Sequence, residues 1–448
     1  MTDESRQTLT DQSQSRDDQG DHDPRQSLIG YAVVTAAYWA FMLTDGALRM
    51  LVLLYFHTNG FDPISLAFLF LLYEFMGMVT NLGAGWIATR FGLNLTLYAG
   101  LALQIATLGL LSWANPTTAG LASILVVMGL QGLAGVAKDL TKMSAKSAVK
   151  ALVPEGEAGE SRLLRWVARL TGSKNAIKGL GFFVGAGLLQ TIGFSAGLWV
   201  LVGGLVLILF GVLAFLPATL SNRKRAQLPF SAIFSTSSAL NQLSLARVFL
   251  FGARDVWFVV GVPLFFYAQG WTFAAVGTFM AAWVIGYGAV QGATPNLLGN
   301  RRSALGQSVR ALRLWGAVLV IILLALSVAV QLLPLDGLTW IVAGALFLFG
   351  AIFALNSTLH SFLVLAYAKA EDVALDVGFY YMSNAGGRLM GALLSGVIFQ
   401  SFGGVAGKNG LLACLLVAAL FCALAWAASL RLPQTPLKAT TPQGNSVV

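Results

Sequence analysis

Asp45 to Phe61 reads DGALRMLVLLYFHTNGF and Asp255 to Trp271 reads DVWFVVGVPLFFYAQGW, two stretches standing 210 positions apart. Each opens on an aspartate, continues through a mostly apolar run and closes on a glycine followed by an aromatic residue. The same offset of 210 pairs Ser173 with Ser383, Lys178 with Arg388 and Gly181 with Gly391. One offset therefore relates two separated segments of each half, charged residues included, and the chain reads as a parallel repeat of two long units.

Composition says what each unit is made of. Of the 448 residues, 57% are hydrophobic and 10% charged, and mean hydropathy is +0.74, whereas an ordinary soluble domain carries roughly 25% charged residues. A membrane-crossing helix uses roughly 20 mostly apolar residues, so this supply suits about twelve helices, six per unit. Short clusters break the apolar runs at Asn59-Gly60, Asn115-Pro116, Gly193-Phe194, Gln269-Gly270, Pro334-Leu335-Asp336 and Gly403-Gly404. The expected organisation is a tail over 1–27, a first six-helix bundle over 28–217 containing a basic amphipathic connector at 138–172, a linker over 218–244, a second six-helix bundle over 245–431, and a tail over 432–448. With seven acidic and three basic side chains and no apolar core, the first 27 residues read as a disordered tail rather than a cleaved signal peptide.

Basic residues orient the bundle. The turns after the odd-numbered helices hold Lys408 and no arginine, while the alternate connectors hold Arg90, the run from Lys138 to Lys174, Arg223-Lys224-Arg225, Arg301-Arg302 and Lys369. Lys and Arg accumulate on the cytoplasmic side, so both termini are expected in the cytoplasm and the chain in the inner membrane. The net charge of +9 then reflects orientation and implies no nucleic acid. Cys414 and Cys422 lie eight apart along one helix face, too far for a disulfide, and read as core packing.

A parallel repeat of six helices is the construction of the major facilitator fold, which places its substrate path between the halves at mid-membrane. The stretch Gly85-Trp86-Ile87-Ala88-Thr89-Arg90-Phe91-Gly92 resembles that superfamily's G-x-x-x-D-R-x-G signature, with Thr89 in place of the aspartate and Leu93-Asn94 in place of the usual basic residues. Arg90 reads equally as an orienting anchor.

Charges inside apolar runs are the functional signal. At a rise of about 1.5 Å per residue, Asp45, Asp255, Lys178 and Arg388 each lie roughly 21–23 Å from the outer ends of their helices, in one layer. A charge at the bilayer centre costs about 3 kcal/mol even on a lenient scale, so such residues face a partner or a water-filled cavity. Arg49 and Glu74 lie nearer the centre, Arg254 adjoins Asp255, and Lys174 stands towards the cytoplasmic mouth. Asp45 and Arg49, spaced i,i+4, face one side of helix 1 and would form a local ion pair. Taken together, Arg49, Lys178, Arg254 and Arg388 outnumber Asp45, Glu74 and Asp255. A cavity with that surplus suits a small anion, gripped by Arg forks and Lys point charges; the competing reading is a set of structural pairs. The three acids are also the available proton carriers, with Glu74 first because no base stands at i±3 or i±4; the competing reading pairs Glu74 with Arg49 from the adjacent helix.

In the connector, Lys138, Lys142, Lys146 and Lys150 form one stripe, drifting about 40° per step. Arg162, Arg165 and Arg169 alternate with apolar residues as in a helix lying on the inner leaflet. Anionic lipid is one partner for such a surface; gathering an anionic cargo at the entrance is the other use. There is no C-x-x-C, no H-x-x-x-H and no G-x-x-x-x-G-K-[ST], and His22, His57 and His360 stand apart. Metal, cofactor and ATP chemistry therefore lack their ligands. The expectation is a transporter, not an enzyme.

Lys138-Asp139-Leu140-Thr141-Lys142-Met143-Ser144-Ala145-Lys146-Ser147-Ala148-Val149-Lys150 and Thr171-Gly172-Ser173-Lys174-Asn175-Ala176-Ile177-Lys178-Gly179, with Tyr55 to Phe61 and Tyr73-Glu74-Phe75, resemble the ArsJ-type organoarsenical efflux permeases, a bacterial branch of the major facilitator superfamily. The resemblance implies export of 1-arseno-3-phosphoglycerate, the unstable ester made when glyceraldehyde-3-phosphate dehydrogenase uses arsenate in place of phosphate, and hence arsenate resistance. It also implies a functional link to such a dehydrogenase and, as is usual in the superfamily, a monomer. It transfers no binding residues. A proton-coupled exporter of another organic phosphate, or of hydrophobic drugs, is the alternative.

Overall fold

The computed structural model describes residues 24–91, 93–113, 121–151, 157–216, 237–298, 305–367 and 373–434. These form twelve long helices and, among the described residues, no strand. They are α1 Pro24–Thr58, α2 Pro63–Phe91, α3 Leu93–Leu111, α4 Leu121–Ala151, α5 Glu157–Ile192 and α6 Phe194–Phe215 in the first half. The second half holds α7 Ser238–Ala268, in two pieces, then α8 Phe273–Leu298, α9 Leu305–Leu332, α10 Leu338–Tyr367, α11 Val373–Phe402 and α12 Lys408–Ser429.

Packing repeats under the sequence offset. In the first half α1 lies on α5, α2 on α4 and α3 on α6; in the second α7 lies on α11, α8 on α10 and α9 on α12. The halves meet where α2 packs on α11 and α5 on α8. Burial separates the inner helices from those facing outward: 78% of the apolar stretch of α1 and 83% of α7 are buried, against 28% of α6 and 33% of α9. Helices apolar all round with such bare faces belong in lipid. Ten helices are long and apolar enough to cross a membrane. The two that fall short, α5 and α11, are repeat mates whose hydropathy is lowered by Lys178 and Arg388.

The connector expected at 138–172 is mostly helix continuous with its neighbours. α4 passes through Lys138 and Lys142 to Ala151, and α5 begins at Glu157. α7 likewise starts inside the expected linker, and α1 inside the expected tail. The remaining tail and linker residues, and the side chains of Lys146, Lys150, Arg162, Arg165, Arg169 and of the signature-like stretch around Thr89 and Arg90, lie outside the described residues.

The quoted turns are matched helix caps. Gly60 and Gly270 take φ of 89° and 84°, and the next amide reaches back five residues, Phe61 to Phe56 and Trp271 to Phe266, each at 3.1 Å. That is the geometry for which a glycine just past the helix end is suited. Only the second half breaks its first helix: Pro263 offers no N–H to the carbonyl of Val259 and crowds it, and at the break the amides of Val260 and Gly261 both donate to Ser395 Oγ at 3.1 Å.

The halves are latched together at the end carrying these turns. Gln190 of α5 accepts from the Ala274 amide of α8 at 3.1 Å, and Gln400 of α11 accepts from the Ile64 amide of α2 at 2.9 Å. Both pairs are related by the 210 offset. Asp62 and Thr272 already cap the amides of Ser65 and Ala275, so the glutamines satisfy first-turn donors that would otherwise be orphaned. Alongside, Gly277 packs on Ala186 and Gly396 on Ala67, the same two positions with glycine and alanine exchanged. Gln190→Ala and Gln400→Ala should each lower stability by roughly 0.5–1.5 kcal/mol, and the double variant by their sum because they serve separate interfaces. Thermal unfolding of the purified protein in detergent reads this out.

Candidate functional site

Close backbone approach sets the site. A Cβ on Gly181 of α5 would run into the Leu43 carbonyl and the Ala47 amide of α1; one on Gly391 of α11 would meet the Gly252 carbonyl of α7 at 2.6 Å. Less than one turn before each glycine stands a cation, and across from it an aspartate. Lys178 Nζ lies 2.5 Å from Asp45, and Arg388 Nε lies 3.2 Å from Asp255. The repeat seen in the sequence is thus a pair of equivalent buried ion pairs.

The second pair does more than the first. The Arg388 fork also sends Nη2 to Glu74 of α2 at 2.5 Å, while Arg49 Nη2 reaches the same Glu74 oxygen at 2.8 Å. Arg254 Nε adds a 2.6 Å bond to Asp255. A continuous chain, Arg254–Asp255–Arg388–Glu74–Arg49, therefore joins the two halves. Tyr73 donates its hydroxyl to Asp45, beside Lys178. The local Asp45–Arg49 pair allowed by i,i+4 spacing is not made; each residue instead turns to a partner on a neighbouring helix.

These residues line a cavity of about 240 Å³ between the halves. Its cations are Arg49, Lys138, Lys142, Lys174 and Lys178 from the first half and Arg247, Arg254 and Arg388 from the second; its acids are Asp45, Glu74, Asp139 and Asp255. All eight residues expected from the sequence are therefore brought together. The layering matters as much as the numbers. Glu74 is 1% exposed, Asp45 and Asp255 are each 2%, whereas Lys178 and Arg388 are each 20%. The acids sit behind their cations, and the surface presented to the cavity is positive.

Asp139, on α4, is held by Lys142 at 3.1 Å and by Thr80 at 2.9 Å, and Lys142 also donates to Asn81 at 2.8 Å. Lys138 rests 4.1 Å above the ring of Tyr73, a favourable cation–π placement. Arg247 of α7 is a residue the sequence reading passed over. Its spacing of seven from Arg254, two turns along one face, is the signal that points to it.

No family model matches this chain, and no curated protein matches it in sequence. A solved proton-dependent oligopeptide transporter is similar to it with a TM-score of 0.68 at 14% identity, over 90% of this chain and 97% of that one. Tetrameric PepTSo2 gives the same values. A bacterial homologue of the human drug peptide transporters PepT1 and PepT2 gives 0.66 at 14% identity, over 90% and 97%. The chain has the fold of a membrane transporter. The described residues are helical, ten of the helices are long and apolar enough to cross a membrane, and the cavity occupies the space between the two halves.

Removing one partner of a buried pair leaves an uncompensated charge and costs about 3–5 kcal/mol. Glu74→Gln strands Arg49, while Arg388 keeps Asp255, and should destabilise the protein by that amount. Adding Arg49→Gln to Glu74→Gln should recover part of the loss. Thermal unfolding of the single and double variants in detergent checks both statements.

Proposed function

We propose that the chain is a carrier, not an enzyme, that moves a small organic polyanion across the membrane by alternating access of the central cavity. The observation carrying this reading is the state of the four acids. Asp45, Glu74, Asp139 and Asp255 are each held by at least one cation, whereas among the described residues Arg247 and Lys138 enter no ion pair. The charge the cavity lacks is negative. A peptide brings an ammonium as well as a carboxylate, and each acid of this lining is already engaged. A cavity of about 240 Å³ is also smaller than the roughly 300–1,000 Å³ of drug-sized sites, which counts against hydrophobic drugs.

Within this class the candidate is 1-arseno-3-phosphoglycerate, whose export would give arsenate resistance. It carries oxyanions at both ends of a three-carbon backbone, matching cations contributed by both halves. Arg49, Lys178, Arg254, Arg388 and Lys174 are the proposed ligands; Asp45, Glu74 and Asp255 are the proposed coupling groups, which exchange partners as cargo enters. On this reading the carrier is a monomer in the inner membrane with both termini cytoplasmic, supplied by a glyceraldehyde-3-phosphate dehydrogenase, its basic face against anionic lipid. A proton-coupled exporter of another organic phosphate would use the same lining.

Inside-out vesicles supplied with the dehydrogenase, its substrates and arsenate should accumulate arsenic only when the carrier is present. Lys178→Gln and Arg388→Gln should each reduce that uptake towards the level of empty vesicles. Arsenic-free vesicles that nevertheless take up a cationic drug would overturn the polyanion reading.

A further inference from the structure

Arg247 is 5% exposed and, among the described residues, enters no ion pair. A guanidinium so deeply placed in a membrane bundle normally has a carboxylate beside it. Here neutral groups hold it instead. Its plane lies 3.8 Å from the ring centre of Phe251. Nε donates to Asn384 Oδ1 at 3.0 Å, and Nη1 donates to the Ser357 hydroxyl at 3.1 Å. Tyr287 donates to the same hydroxyl at 3.2 Å. Four helices of the second half, α7, α8, α10 and α11, thus fix one side chain in one orientation.

Two donors are left over. Nη2 of Arg247 has no hydrogen-bond partner among the described residues. Because Arg247 claims the Oδ1 of Asn384, the amide is oriented with Nδ2 pointing elsewhere, and that group is also without a partner there. Both residues line the cavity. A rigid guanidinium beside a primary amide, donors only and no acid, is the equipment for binding an oxyanion through charge-assisted hydrogen bonds. We infer that Arg247 and Asn384 form a subsite that takes a terminal phosphoryl or arsenyl group of the cargo. This rests on the polyanion reading above and names the place where one end of the polyanion docks. The opposite end would face the lysines of the first half.

Asn384→Asp is the decisive variant. It is nearly isosteric, and it gives Arg247 the acid it lacks, so folding is retained while the subsite is filled by the protein's own carboxylate. The full-length protein in detergent would be titrated with 3-phosphoglycerate, a stable compound bearing the phosphoryl end. The wild-type protein should bind it saturably. Asn384→Asp should weaken binding by about tenfold or more, with an unliganded unfolding temperature equal to or above that of the wild type. Arg247→Gln should weaken binding as much. Wild-type binding with both variants within about twofold of it would overturn the subsite and leave the polyanion carrier standing. Absence of saturable binding to the wild-type protein would overturn the carrier reading itself.

Discussion

An ionised carboxylate is expensive to bury in a helical bundle within lipid unless a cation is buried with it, and that requirement organises this molecule. Asp45 and Asp255 sit at equivalent depths on the first helix of each half, and Lys178 and Arg388 must reach them from the fifth. The reach is short because Gly181 and Gly391 let the paired helices touch backbone to backbone. Hydropathy reflects the same constraint: α5 and α11 are the helices that carry these cations into the bilayer and the two that are not apolar enough to qualify as spans by composition. The two ion pairs thus fix where the helices cross and where the cavity opens.

The repeat is broken where function would need it broken. Glu74 maps to Val284 under the offset, so the second half offers no acid for Lys178 to bridge to. Lysine is a point charge, while arginine has a fork. Arg388 can therefore hold Asp255 at home and Glu74 across the interface at once, at 3.2 Å and 2.5 Å. A single strut then joins α2 to α11 at mid-depth, while Gln190 and Gln400 join the halves at the turn end. If the strut parts, Arg388 keeps Asp255 and Glu74 keeps Arg49, so each half retains an ion pair of its own.

Much of the architecture was readable before the structure because it rests on periodic features. The twelve apolar runs, the glycine turns and the layer of four charges all follow from counting along the chain. Pairing follows only in part. The Arg49–Glu74 bridge is one of the two readings open for Glu74, whereas spacing places Asp45 with Arg49 and carries no information about Lys178, which holds Asp45 instead. Arg247 was missed for a different reason: with α7 taken to start at 245, a base there looks like an orienting anchor, whereas α7 in fact starts at Ser238 and carries Arg247 more than two turns inside. The vacancy beside it is a property of three dimensions, since a missing partner has no sequence signature. The same holds for the acids lying behind their cations.

The fold does not choose the cargo. Proteins that share it at 14% identity include proton-dependent oligopeptide transporters, and the same twelve-helix frame serves unrelated solutes. What distinguishes one cavity from another is which charges remain unsatisfied after the protein has paired its own. Here, among the described residues, Lys138 of the first half and Arg247 of the second enter no ion pair, while the four acids of the cavity are each paired. A cationic solute entering this space would meet acids that are already paired, whereas an anion finds at Arg247 a cation that enters no ion pair. A solute with an anion at each end can engage both halves at once, which is the condition for its binding to bias the angle between them.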